Sequence, residues 1–229
     1  MRLLHPVAMQ EKFIASGLYH RYEGEIETKA TEAWSRHELA EGATLTRIDA
    51  DWRGVNGVSR LAEVLQDHQG RVERLTLQLH QAAPSALYRI MRLDYIIADG
   101  YIQMTRVLDR QAREYDELET PSALLVRLTD FALFWGDVVR LDAQVSQSAQ
   151  VFVPILKPSG AMGALVQGAM PVVEAVEQET LTLPSGTQTL TRYMTKGKRL
   201  VWLNAQGYPV KVSQWQTNTH DVLTNFAHR

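Results

Sequence analysis

Apolar and polar residues alternate with a period of two through most of this chain. The cleanest run is 74–80, where Leu75, Leu77 and Leu79 fall on one side and Thr76, Gln78 and His80 on the other. Successive side chains of a strand point to opposite faces, so this run predicts a half-buried antiparallel strand. The same reading extends to 18–39, bent at Gly24, and to 44–53 and 58–66. Turn signals separate these runs at 40–43, 54–57 and 67–70; Asn56-Gly57 is the strongest, because both residues tolerate positive φ. Long strands at 87–98 and 101–115 flank the two-residue loop Asp99-Gly100. Further along, 143–155, 172–183, 187–195, 199–203 and 208–216 read as strands, and 157–163 as loose loop. The pattern of 217–229 selects neither helix nor strand. Thr44-Leu45-Thr46-Arg47 returns as Thr189-Leu190-Thr191-Arg192, an echo that a duplicated β unit or coincidence would both give.

One stretch breaks the period. Thr120 suits a helix N-cap, Pro121 the first helical position, and Gly136 the left-handed residue that ends a helix. Between them, beyond Ser122, only Arg127, Thr129 and Asp130 are polar. A helix apolar over most of its circumference must be enclosed. About ten or eleven strands with regular turns mean a sandwich or barrel. The expected fold is therefore mainly β: a large curved antiparallel sheet, a half-barrel or open barrel, with one central helix packed in the concavity. It reads as a single β-rich domain over 1–229, with sheet halves 1–119 and 143–229 joined by a helix at 121–135.

Composition narrows the chemistry more than the fold. With 229 residues, 45% of them hydrophobic, the chain is long enough to bury a core without staples. It has no cysteine, which removes disulfides, thiolate metal sites and a cysteine nucleophile. A net charge of −2 argues against broad electrostatic capture of nucleic acid. No apolar window is long enough for a membrane-spanning helix, and 1–12 makes a poor secretory signal. The expected location is cytoplasmic, with the cell envelope as the alternative for a processed chain.

The candidate chemistry is binding rather than catalysis. The histidines show no metal spacing, and neither a nucleophile elbow nor a phosphate-cradling glycine loop occurs. No catalytic residue, metal or cofactor is assigned. His37 falls near Asp49 and Asp51 across the turn at 40–43, as a general base beside a carboxylate or as a cross-strand polar pair. Arg92 and Arg106 each lie seven residues from Asp99, so hairpin pairing brings them roughly opposite each other, as a seat for an anionic group or as a solvated face. Tyr88, Tyr95, Tyr101, Phe131, Phe134, Trp135 and Trp202 supply an apolar lining or plain core. The expected ligand-binding set is Arg92, Arg106, Tyr88, Tyr101, Leu128, Phe131, Trp135 and Trp202. Its partner would be an apolar or lipid-like small molecule held between sheet and helix. The alternatives are an enzyme acting on a small apolar or anionic substrate in the same cavity, and an interaction module using exposed sheet edges.

The order of strands, an apolar helix and more strands resembles the half-barrel of bacterial lipoprotein carriers and related β-rich families of unknown function. The resemblance is carried by 199–212, Arg-Leu-Val-Trp-Leu-Asn-Ala-Gln-Gly-Tyr-Pro-Val-Lys-Val. There a strand with Trp202 near its end precedes an Asn204-x-x-Gly207 turn and a return strand containing Pro209. It implies handling of an apolar ligand in a groove and brings no catalytic residue. Those relatives are mostly exported.

Overall fold

The computed structural model describes residues 1–82, 89–98, 100–109, 113–120, 125–142, 150–155, 162–167, 173–184, 186–195, 199–214 and 217–229. The first half of the chain forms β1 (Lys12–Glu23), β2 (Ile26–Glu38), β3 (Thr44–Trp52), β4 (Val58–Gln66), β5 (Val72–Gln81), β6 (Ile90–Ala98), β7 (Tyr101–Leu108) and β8 (Glu114–Glu119). A one-turn helix, α1 (Arg53–Asn56), joins β3 to β4 and ends on Gly57 at φ +73°. The middle holds β9 (Leu125–Val126), α2 (Trp135–Asp142), β10 (Gln150–Pro154) and β11 (Gly163–Gln167). The chain then forms β12 (Val173–Leu183), β13 (Gly186–Thr195), β14 (Arg199–Leu203), β15 (Pro209–Gln214) and β16 (Thr219–His228).

Thirteen strands make one antiparallel sheet, ordered β12-β13-β14-β15-β16-β1-β2-β3-β4-β5-β6-β7-β8. The sheet does not close: β12 and β8 are its edges among the described residues. The stretch 217–229, undecided by its pattern, is β16, and it sits between β15 and β1. A second sheet of three strands runs β11-β10-β9, with β9 parallel to β10.

Registry explains the core. Trp34, Ile48, Ala62, Leu77 and Leu93 pair in sequence across five strands, so all five share one face, and each is buried. We call this the inner face. Gly17 stands opposite Trp34, and a Cβ there would lie 2.6 Å from the indole nitrogen, so only glycine leaves room for the ring. The inner face is covered by 128–139 and the small sheet: Phe131, Leu133, Phe134, Val139 and Phe152 join the same buried cluster. Tyr95 ties the layers together, packing edge-on against Phe152 and donating from its hydroxyl to the Met162 carbonyl at 2.7 Å. The outer face of β2–β5 is roofed by the N-terminal segment. Arg2 grips the Asp49 carboxylate, His5 meets Glu63 at 2.6 Å, and Glu11 clasps the buried Arg47 at 2.5 and 2.7 Å.

The long central helix is corrected. Residues 121–124 lie outside the described residues. Leu125 and Val126 are strand, 127–134 are turns, and helix begins only at Trp135. The physical reason is visible at Glu32, on the inner face of β2. Its carboxylate accepts the amides of Ala132 at 2.9 Å and Leu133 at 3.0 Å, which a helix would have sent to its own carbonyls. The turns around them close on carbonyls three residues back, at Phe131 to Leu128 and Trp135 to Ala132. Among the described residues the buried Thr120 hydroxyl has no partner, and the Thr120 amide donates to the Gly100 carbonyl. Gly136 sits in the first turn of α2 rather than ending a helix; a Cβ there would meet the Gly207 carbonyl at 2.8 Å.

The expected strand 101–115 is also two strands. Asp109 adopts φ +50° and its carboxylate accepts the amides of Arg89 and Ile90, turning the chain at the end of β7. The two copies of the echoed tetrapeptide are buried differently. In β3 its third and fourth residues, Thr46 and Arg47, are buried; in β13 only its second, Leu190, is.

Candidate functional site

The seven expected ligand-binding residues that are described do not converge. Tyr88 lies outside the described residues. Hairpin registry pairs Ala98 with Tyr101, so Arg92 faces Val107 and Arg106 faces Leu93. A slip of one residue from the expected pairing puts the two arginines on opposite faces. Arg92 is on the outer face, held by Asp94 at 2.9 Å. Arg106 is buried on the inner face, at the end of the Trp34–Leu93 ladder, and bonds Glu114. Tyr101 is exposed on the outer face. Trp202, paired with Lys211, points away from Val201 and Val212; its indole donates to Glu179 at 2.9 Å under the Lys211 ammonium. Leu128, Phe131 and Trp135 are buried in the common core cluster, to which Trp202 also belongs. His37 and Asp49 stay apart, because Asp49 stands opposite Ala33, four residues or about 13 Å along the strand. Asp49 belongs to Arg2, while burial and the adjacent Arg47 pull His37 below its ordinary basicity.

The inner face carries a different constellation. Arg21 follows Tyr19 in the buried phase of β1, and Arg60 precedes Ala62 and Val64 in the buried phase of β4. With Arg199 of β14 they converge on a pocket of about 240 Å³, whose other walls include Trp52, Asp130, Asp221 and Gln214. Arg21 is neutralised by Asp221 through two bonds of 2.9 Å, and its guanidinium lies 4.0 Å from the centre of the Trp52 ring. Arg60 stands over the same ring at 4.9 Å. Among the described residues its buried Nε has no partner, and the Asp130 carboxylate is 3.8 Å away. Arg199 lies 4.3 Å from the Trp135 ring, and among the described residues its guanidinium donates only to the Gln214 amide oxygen, at 3.4 Å. Burial lowers the Arg199 pKa from its ordinary value, yet a guanidinium remains charged at any physiological pH. The pocket therefore holds three cations and two carboxylates, and two of the cations have donors to spare. Arginine against indole is stabilising, on the order of 0.5–2 kcal/mol, so the rings fix the positions of the charges.

These residues had a sequence signal, an arginine in the apolar phase of an alternating strand. Tyr19-x-Arg21 and Arg60-x-Ala62-x-Val64 both show it. What alternation alone hides is that strands far apart in the chain bring them to one place.

No family model and no curated protein sequence matches the chain. Among solved structures, it is similar to a β-barrel-like protein of a domain of unknown function, DUF1849, from Brucella abortus. The identity is 10%, the match covers 98% of this chain and 100% of that one, and the TM-score is 0.50. At that identity the likeness shows the fold: a large β-rich, barrel-like architecture. It agrees with the β-rich, unknown-function part of the family resemblance and does not support the lipoprotein-carrier part.

Proposed function

We propose that this protein is a non-enzymatic binding protein for a ligand with an anionic head, a carboxylate or a phosphate, seated among Arg21, Arg60 and Arg199. The observation that carries this reading is the half-neutralised state of the pocket. A buried guanidinium donor without an acceptor is costly, by about 1–3 kcal/mol, and the Arg60 Nε is such a donor. A bidentate anion supplies the missing acceptors. The lining offers guanidinium, carboxylate, indole, amide and hydroxyl groups, which suits holding a ligand. A lipid-like ligand fits the same site if its chain enters beside the turns at 127–134. Thr129 and Asp130 belong to the pocket, and Leu128 and Phe131 begin the apolar core directly below. The lipoprotein-carrier resemblance points the same way.

Calorimetric titration with octanoate, octyl phosphate, inorganic phosphate and octylamine tests the reading. Both octyl anions are expected to bind, and octylamine is not. Replacing Arg60 and Arg199 together by glutamine is expected to weaken the anions at least tenfold, while Trp202→Phe leaves them unchanged. Phosphate binding as tightly as octyl phosphate would restrict the site to a bare anion. Equal binding of octylamine, or anion binding indifferent to the double variant, overturns the proposal.

A further inference from the structure

We propose that the outer face carries a second, separate ligand site, for a small carboxylate with an apolar body, in the cavity between β3–β6 and His5. The cavity is about 440 Å³. Registry lays out its floor as rows. Leu45, Leu65, Arg74 and Ile96 pair in sequence across β3 to β6, and Glu63, Thr76 and Asp94 form the next row. The first row is an apolar strip with one cation in it, and Ile96 is 52% exposed, a large apolar surface left in water.

A census of donors and acceptors settles the sign of the missing group. Glu63 is spoken for: it accepts the His5 amide at 3.0 Å, the His5 ring at 2.6 Å and Arg47 at 3.3 Å. Asp94 is spoken for by Thr76 at 2.7 Å and by Arg92. Both carboxylates are thus filled by the protein. The donors are not. Arg74 makes no ion pair among the described residues, and Arg92 reaches Asp94 through Nε and Nη2, leaving Nη1 uncommitted. A ligand here meets free guanidinium hydrogens and an apolar strip. That combination selects an acceptor pair joined to hydrocarbon and rejects an amine. The N-terminal segment matters because His5 occupies Glu63, which would otherwise compete for the cations.

The test is a proton–nitrogen chemical-shift titration of the full chain with hexanoate, acetate, inorganic phosphate and hexylamine. Hexanoate is expected to give saturable shifts at the amides of Thr76, Asp94 and Ile96. Acetate and phosphate are expected to bind at least tenfold more weakly, and hexylamine to give no saturable shift. Arg74→Gln, at an exposed position, is expected to weaken hexanoate at least tenfold, and Ile96→Asn to reduce hexanoate to the level of acetate. The Arg60→Gln, Arg199→Gln double variant is expected to leave these shifts intact, which separates this site from the inner pocket. Shifts confined to Trp52, Thr129 and their neighbours, shifts at 76, 94 and 96 that survive Arg74→Gln, or phosphate binding as well as hexanoate would each overturn the proposal.

Discussion

Glu32 concentrates the energetics of this fold in one side chain. Burial pushes its carboxyl up to about 7 from an ordinary 4.5, against the pull of the Ala132 and Leu133 amides; Asp221 raises it further and Arg21 opposes. An acid whose folded pKa is raised binds its proton more tightly in the folded state. Its contribution to stability is whole below pH 4.5 and is lost as pH rises through 7. Thermal melts across pH 5 to 8 are expected to lose on the order of 2–3 kcal/mol from this group, and Glu32→Gln to flatten that slope while costing stability at pH 5. A slope unchanged by the substitution would assign the titration elsewhere. Glu11 has the opposite sign. Its bonds to Arg47 hold it down to about 2, so what it contributes is present above pH 4.5 and lost as pH falls toward 2. At this scale the sequence was half legible. Alternation correctly placed Leu75, Leu77 and Leu79 inside. It could not show that a carboxylate in β2 would take amides a hundred residues away, nor fix the register that sends Arg92 and Arg106 to opposite faces.

Among elements, the segment 125–142 shows why apolar content and caps misjudged a helix. Leu128, Phe131, Leu133 and Phe134 are buried as a helix-enclosing sheet would demand, but turn by turn, since neighbouring elements satisfy the backbone better than the segment's own carbonyls do. The strands were easier, because alternation and turn residues act locally: 58–66 coincides with β4, and 44–53 with β3 to within one residue. Close contact between strands is where the elements are brittle. Gly17→Ala would put a methyl 2.6–2.7 Å from both Trp34 and Leu223. Denaturant unfolding is expected to show a loss of about 1–3 kcal/mol, restored in part by Trp34→Phe, which vacates the indole nitrogen. An undiminished midpoint would mean that the sheet separates more easily here than its registry implies.

The whole molecule is a long open sheet whose edges defend themselves. β8 carries Glu114, Asp116, Glu117 and Glu119, and the β12 edge carries Glu177 and Glu179. On β8 that charge opposes the addition of another strand, whereas on β12 Glu177 and Glu179 are paired with Arg192 of β13. The similarity to the Brucella protein belongs to this scale: overall architecture agrees at 10% identity, while the arginine pocket is argued from this chain's own side chains. The barrel-like class was legible from strand count and turn spacing, but strand order was not, because no local pattern says that 219–228 inserts beside β1. Removing 217–229 is expected to abolish cooperative unfolding by circular dichroism, since β16 holds β15 to β1; a trimmed chain that still melts sharply would show the two flanks to be independent.

The β16–β1 seam also dictates a timetable. Arg21 waits for Asp221, its partner 200 residues later, so on a ribosome β1 emerges with one side unclaimed while the fourteen strands β2 to β15 are made. Long-range pairing of this kind is slow and leaves adhesive backbone exposed in the interval. Assembly here resembles fastening a coat from the middle: the garment hangs open until the last strip of cloth arrives, and delay in that step, rather than weakness of the finished article, is where such a chain is most at risk of sticking to its neighbours.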